Sequence, residues 1–355
     1  MTMTQQNIAI IGAGIIGIMC ARTLRDQGHT VTLYNKDGFP PTSSASYIAG
    51  GMLAPYSEID HMTPDFIGAC LHSIDLWRDF IKPRPDVHFT DKGSLLIAHQ
   101  EDLHMLQRFA HHLPNDENKN VWETLSRPQL EDKESALPSK FQQGLWLKQE
   151  AAIHPQNVIS ALHDEFTQDE GMTLIAQSVT PNDIAGHFDH IIDARGDGAM
   201  HDDQNLRGVK GEIAIVHNPD VTFTHTVRIM HPRYPLYIVP RRNHVYMIGA
   251  TQIETSQDDA LSLRSAMELL STLYSLHPSF ADAKILGFHT GIRPSYSDNL
   301  PRITQRDNII TCNGTYRHGI LLAPSLAEGV ANAVQGTKIN PIYTKPLPNR
   351  TQKVA

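Results

Sequence analysis

The run Ile10-Ile11-Gly12-Ala13-Gly14-Ile15-Ile16-Gly17 constrains the fold more than any other part of the chain. The apolar stretch Asn7 to Ile11 predicts a short strand. From Ile15 to Gln27 the spacing is helical, with Ile16, Met19, Cys20, Thr23 and Leu24 on one face, and Gly28 ends the helix. Thr30 to Tyr34 predicts a second strand. Strand, glycine turn, helix and strand make a βαβ unit. In that setting the glycine spacing marks a dinucleotide site. Gly12 permits the tight turn, Gly14 lets the backbone approach a pyrophosphate, and Gly17 lets the helix pack against the strand. The helix N-terminus, with Ile15 and Ile16, then faces phosphate charge. The bland alternative is a tight strand-to-helix turn with no ligand.

The second strand normally ends in Asp or Glu, which holds a ribose hydroxyl. Here that place is Asn35, followed by Lys36 and Asp37. Asn35 can accept one hydrogen bond through its amide oxygen, or Asp37 can take over the contact.

Further along, Phe39 to Tyr47 predicts a loop, Asp65 to Ile81 a helix, Val87 to His99 a hairpin turning at Gly93, and Glu101 to His112 a polar helix. Leu113 to Asn120 predicts an exposed loop. Pro155 to Asp169 is a helix opened by its proline. Met172 to Val179 and Phe188 to Asp193 are strands, the latter ending in the small residues of Ala194-Arg195-Gly196. Four alternating stretches, Gly211 to Val216, Thr226 to Met230, Leu236 to Pro240 and His244 to Ala250, predict an antiparallel region. A helix at Asp259 to Leu276, a strand at Asn308 to Cys312 and a last helix at Ile320 to Gly336 follow. The proline-rich, basic tail after Asn340 is expected to be weakly ordered. These elements predict a discontinuous Rossmann-type domain over 1–85, 150–205 and 290–340. An antiparallel substrate domain is inserted at 86–149 and 206–289, and 341–355 is a tail.

Composition excludes several function classes. Thirty basic and 38 acidic residues give a net charge of −8, which supplies no basic stripe for nucleic acid. Cys20, Cys70 and Cys312 are odd in number and far apart, so neither a disulfide framework nor a zinc site is expected. No metal is expected elsewhere. Reduced thiols fit the cytoplasm. The apolar stretch Ile8 to Met19 is short and broken by glycines, and it reads as neither signal peptide nor membrane span.

Several strings resemble the D-amino-acid oxidase-like flavoproteins, and within them the glycine oxidases of thiamine biosynthesis. They are Thr42-Ser43-Ser44-Ala45-Ser46-Tyr47-Ile48-Ala49-Gly50-Gly51-Met52-Leu53-Ala54-Pro55, Leu206 to Glu212, Tyr237-Ile238-Val239-Pro240-Arg241, Gly249-Ala250-Thr251, Gly291-Ile292-Arg293-Pro294 and Tyr316 to Pro324. The resemblance covers nearly the whole length and implies FAD, bound without a covalent link. It places Ser43, Ser44, Ala49, Gly50, Gly51 and Met52 around the flavin. Val179, Ala194, Gly196 and Gly291 would follow along the cofactor. Gly314, His318, Gly319 and Ile320 would lie at the flavin's pyrimidine end, with His318 as support rather than base. Arg293, Tyr237 and Arg317 would hold a substrate carboxylate, Arg through its planar fork. Arg293 and Arg317 would also lie against the cofactor. Cys312 reads as a small core thiol.

The reaction implied is oxidation of glycine or another small amino acid by hydride transfer to the flavin. Imine or 2-oxo acid, ammonia and, with oxygen, hydrogen peroxide would result. A homo-oligomer remains open. So do a D-amino-acid dehydrogenase serving another acceptor, a nicotinamide dehydrogenase, and a flavin-binding protein without catalysis.

Overall fold

The computed structural model describes residues 4–114, 121–232 and 235–347. The expected loop at Leu113 to Asn120 lies mostly outside them, as does the end of the tail. The first sheet has six strands, ordered Arg302–Arg306, Ile309–Asn313, His190–Asp193, Asn7–Ile11, Thr30–Asn35 and Met172–Ala176. Every pairing is parallel except the hairpin between Arg302–Arg306 and Ile309–Asn313. Asn7–Ile11 sits centrally, with Ile8, Ala9 and Ile10 fully buried. The chain order reverses around this strand, so a crevice opens at its C-terminal end.

Helices Ile15–Asp26, Phe66–Ile81, Pro155–Gln168 and Gly319–Val334 share one apolar core with Ile8, Ile10 and Leu33. Gly319–Val334 is apolar nearly all round and almost wholly buried, as a helix enclosed on every side must be. Trp77 fills the gap beside it, and its indole N–H donates to the Ile320 carbonyl at 2.9 Å, which satisfies a buried donor.

The second sheet has nine strands. Eight follow the order Ile253–Glu254, Arg207–His217, Val245–Gly249, Leu236–Pro240, Thr226–Met230, Ser94–Ala98, Gln143–Leu147 and Trp122–Ser126. Lys284–Ser295 pairs with Arg207–His217 along its length. The sheet is antiparallel except where Thr226–Met230 meets Ser94–Ala98. Helix Leu263–Leu276 covers one face through Leu269, Leu273 and Leu276. Three short strands, Met52–Leu53, Ala151–Ile153 and Phe89–Thr90, link the two large sheets.

Two expectations are corrected. Val87 to His99 is not a hairpin. Phe89–Thr90 pairs with Ala151–Ile153, whereas Ser94–Ala98 joins the nine-stranded sheet. Gly93, at φ +83°, turns the chain from one sheet to the other. The tail is docked as far as it is described. Tyr343 is buried against Phe66, and Arg302 donates to the carbonyls of Lys345 and Pro346. The boundary expected at 289/290 falls inside Lys284–Ser295, a twelve-residue strand that runs continuously from the sheet edge to the cavity. Among the described residues no helix is long and apolar enough to cross a membrane, and no group of His, Cys, Asp and Glu side chains could hold a metal ion.

Candidate functional site

One elongated cavity of about 1690 Å³, its open mouth included, runs from the Gly12 turn to the junction of the two large sheets. At the turn, Gly12 has φ +102°, and a Cβ there would lie 2.5 Å from the Ala194 carbonyl oxygen. A Cβ on Gly17 would lie 1.8 Å from the Gly12 carbonyl oxygen, so this glycine serves helix packing and does not line the cavity. Gly14 caps the helix with no side chain of its own, and Ser46 Oγ accepts from the Ile15 amide at 3.0 Å. Gly12, Gly14, Ile15 and Ile16 line the wall.

Asn35 braces the turn. Its amide oxygen accepts from the Ala13 N–H at 3.3 Å, and its amide nitrogen donates to the Gly38 carbonyl at 2.6 Å. Asp37 accepts from Ser43 Oγ at 2.6 Å. Both side chains border the cavity together with Ser43, Ser44, Ala49, Ala194 and Gly196.

Further in, Gly50, Gly51 and Met52 form one side. Gly51 has φ +76°, and a Cβ there would meet the Ile153 carbonyl oxygen at 1.8 Å. Arg241 donates to the Ile153 carbonyl at 3.2 Å and also to the Gly50 carbonyl, which fixes the approach of this run. Burial pulls Arg241 down to about 9. Gly291, Arg293, Cys312, Arg317, Gly319 and Ile320 also line the cavity, and a Cβ on Gly291 would lie 2.8 Å from the Ile48 side chain. Burial pushes the Cys312 thiol well above its ordinary value, so the thiolate that a covalent link needs is disfavoured.

Two cations meet at this inner end. Arg293, on Lys284–Ser295 opposite Val209, lays its guanidinium over Gly211. A Cβ on Gly211 would lie 2.2 Å from Arg293 Nη2. Nη1 donates to the Thr251 carbonyl at 3.2 Å. Burial first, and then the neighbouring Arg317 charge, pull Arg293 down to about 10. Arg317 instead has an anion, with Nε 3.2 Å from Glu58 Oε2. Burial opposes the Arg317 cation most strongly, but Glu58, Tyr237 and Tyr316 together outweigh it, and Arg317 is held above its ordinary value.

Four further expected site residues do not line the cavity. The Tyr237 hydroxyl donates to Glu58 Oε1 at 2.6 Å and lies behind the cavity wall, because the register of its strand against Val245–Gly249 leaves the ring fully buried. Val179 packs with Ala9, Ile11 and Tyr34 on the other face of the parallel sheet. Gly314, at φ +76°, fits against the Tyr296 ring, and His318 is the buried N-cap of the last helix. These two shape the final turn without lining the cavity.

Glu58 is the residue that sequence reading missed. It stands three positions beyond the Thr42 to Pro55 run and belongs to no motif. Its loop is held on every side. Glu150 accepts from the amides of Tyr56 (3.0 Å) and Ser57 (2.6 Å) and from Ser57 Oγ (2.6 Å), while Arg228 donates to the Ser57 carbonyl.

A switch-point crevice with a glycine turn, continuous with an inner end holding two arginines, defines a two-domain dinucleotide-binding protein with a cationic pocket. The chain belongs to the FAD dependent oxidoreductase (DAO) family, whose model matches residues 7–333, and its cofactor is FAD. The putative thiamine biosynthesis oxidoreductase ThiO of Rhizobium etli is 35% identical over 91% of this chain and 95% of its own length. The bifunctional protein ThiO/ThiG of Synechocystis sp. is 25% identical over 98% of this chain, which spans 54% of that longer protein. The crystal structure of glycine oxidase from Geobacillus kaustophilus superposes with a TM-score of 0.82 at 23% identity, covering 97% of this chain and 99% of that one.

Proposed function

We propose that the chain oxidises glycine or another small amino acid at the inner end of the cavity. The carrying observation is Arg293, a cation at the cavity wall whose hydrogen-bond partner is a carbonyl. A guanidinium in that position calls for an anionic ligand, and its planar fork suits a carboxylate. Held there, a small amino acid would occupy the cavity that Gly50, Met52 and Ile320 also line. Bound FAD supplies the two-electron acceptor. The protein's contribution is positioning and exclusion of water. The amine must be neutral to react, and no side chain at this end is needed as a base at the α-carbon.

Gly12, Gly14 and the helix N-terminus would take the pyrophosphate, with Asn35 or Asp37 near a ribose. The cradle fits such a group, since Gly12, Gly14 and the start of the helix at Ile15 line the cavity beside Ser43 and Ser44. The relatives named as glycine oxidase and as ThiO support a small amino-acid substrate, oxygen as acceptor and a place in thiamine biosynthesis. Three buried, unpaired cysteines support a reducing compartment.

The test is peroxide formation by the flavin-loaded protein with glycine, sarcosine and D-alanine. No turnover of any of them would sink the proposal. Anaerobic bleaching by substrate followed by slow recovery in air would favour a dehydrogenase.

A further inference from the structure

Two arginines line the inner end of the cavity, and one carboxylate stands behind them. Glu58 contacts Arg317 at 3.2 Å and takes the Tyr237 hydroxyl at 2.6 Å. It is 3% exposed and does not line the cavity. The carboxylate therefore reaches Arg317 from behind, while Arg293 faces the cavity with a carbonyl as its partner. The placement is built rather than incidental. Ser57 is gripped through its amide and hydroxyl by Glu150 and through its carbonyl by Arg228, and the Arg228 guanidinium lies 5.3 Å from the centroids of both the Phe109 and Tyr237 rings. Glu150 is itself fully buried. A buried carboxylate held in this way spends hydrogen bonds on fixing one loop, and the outcome of that fixing is the position of Glu58.

We propose that Glu58 is the specificity-determining residue of this site: by pairing with Arg317 it lowers the positive charge presented beside Arg293, so the site accepts amino acids with a single carboxylate and rejects diacids. This rests on the proposed function, in which Arg293 meets the substrate carboxylate. Without Glu58 the same pocket would present two neighbouring cations, which suits a dicarboxylate. With it, a second carboxylate would meet an arginine already paired and a like charge directly behind it.

The experiment uses the flavin-loaded protein and two non-reacting acids, acetate and malonate, at neutral pH. Binding is read from the perturbed visible spectrum of the flavin, so no turnover is needed. The wild type should bind acetate about tenfold or more tightly than malonate. In Glu58→Gln, which is isosteric and keeps a partner for Tyr237, the malonate-to-acetate affinity ratio should rise by about tenfold or more. In the double variant Glu58→Gln with Arg317→Met the net charge returns to that of the wild type, and the ratio should fall back to within about threefold of it. An unchanged ratio in Glu58→Gln, with acetate still bound, overturns the proposal. Where Glu58→Gln does not retain flavin, the double variant decides alone, and a ratio about tenfold from the wild type overturns it. If neither acid perturbs the wild-type spectrum, no carboxylate subsite exists and the proposed function falls with it.

Discussion

Replacing Arg293 by methionine separates a ligand from a structural cation. An arginine that serves a buried ion pair would, on its loss, leave a carboxylate buried and unpaired at a cost of about 3–5 kcal/mol. Arg293 instead donates to the Thr251 carbonyl, and its surroundings pull it down to about 10. The fold therefore disfavours this cation at neutral pH, a penalty relieved only as pH rises through 10. Arg293→Met should leave the melting temperature unchanged or raise it slightly. The substrate side behaves oppositely. Each charge-assisted bond to a carboxylate is worth about 1.5–3 kcal/mol. Two such bonds amount to about 3–6 kcal/mol, or roughly a 10²- to 10⁴-fold loss in kcat/KM. Steady-state peroxide assays and thermal melts with matched flavin content measure both quantities. A protein that melts several degrees lower while kcat/KM stays within about threefold would refute the assignment and make Arg293 a packing residue.

Two adjacent glycines should respond unequally. A Cβ on Gly51 meets the Ile153 carbonyl oxygen at 1.8 Å with φ at +76°, so Gly51→Ala should cost about 2–4 kcal/mol in a denaturant melt. A Cβ on Gly50 meets the flexible end of Met247 at 2.3 Å, so Gly50→Ala should fold normally and show weaker flavin binding instead. Arg241→Met removes the donor to the Gly50 and Ile153 carbonyls and should weaken flavin retention about tenfold, read by equilibrium dialysis of the apoprotein. His154 is pulled down to about 3, first by burial and then by Arg241 and His88. It is neutral in the folded chain and takes up its proton on unfolding, so stability should fall as pH drops from about 6.5 toward 3. His154→Gln should flatten that slope in urea melts, and an unaltered slope would assign the acid loss to other groups.

The opening βαβ unit was legible because its evidence is local. The glycine turn, the helix that follows and the second strand all lie within thirty residues, and each glycine answers to a backbone contact there. The Thr42 to Met52 run and Arg293 came from resemblance, and most of that run borders the cavity. What stayed illegible depends on pairings distant in sequence. The strand Lys284–Ser295 has exposed apolar residues, Ile285, Leu286 and Phe288, on an edge strand, so its pattern shows no clean alternation. Ser94–Ala98 is buried on both faces because its neighbours come from residues 143–147 and 226–230, which no local turn signal announces.

Tyr237 shows the same limit at the site itself. Its sequence string marks a buried strand in the second sheet, and the strand is there. Which group its hydroxyl meets is decided by Glu58, 179 positions away, and Glu58 in turn is positioned by Glu150. A motif can report that a phenol stands near an arginine. It cannot report that a third, unremarkable carboxylate stands between them and changes the charge that the cavity presents to its ligand. That intervening charge determines whether the pocket holds one positive site or two, and so it is at Glu58, rather than at the arginines, that relatives sharing this fold would be free to diverge in the acids they accept.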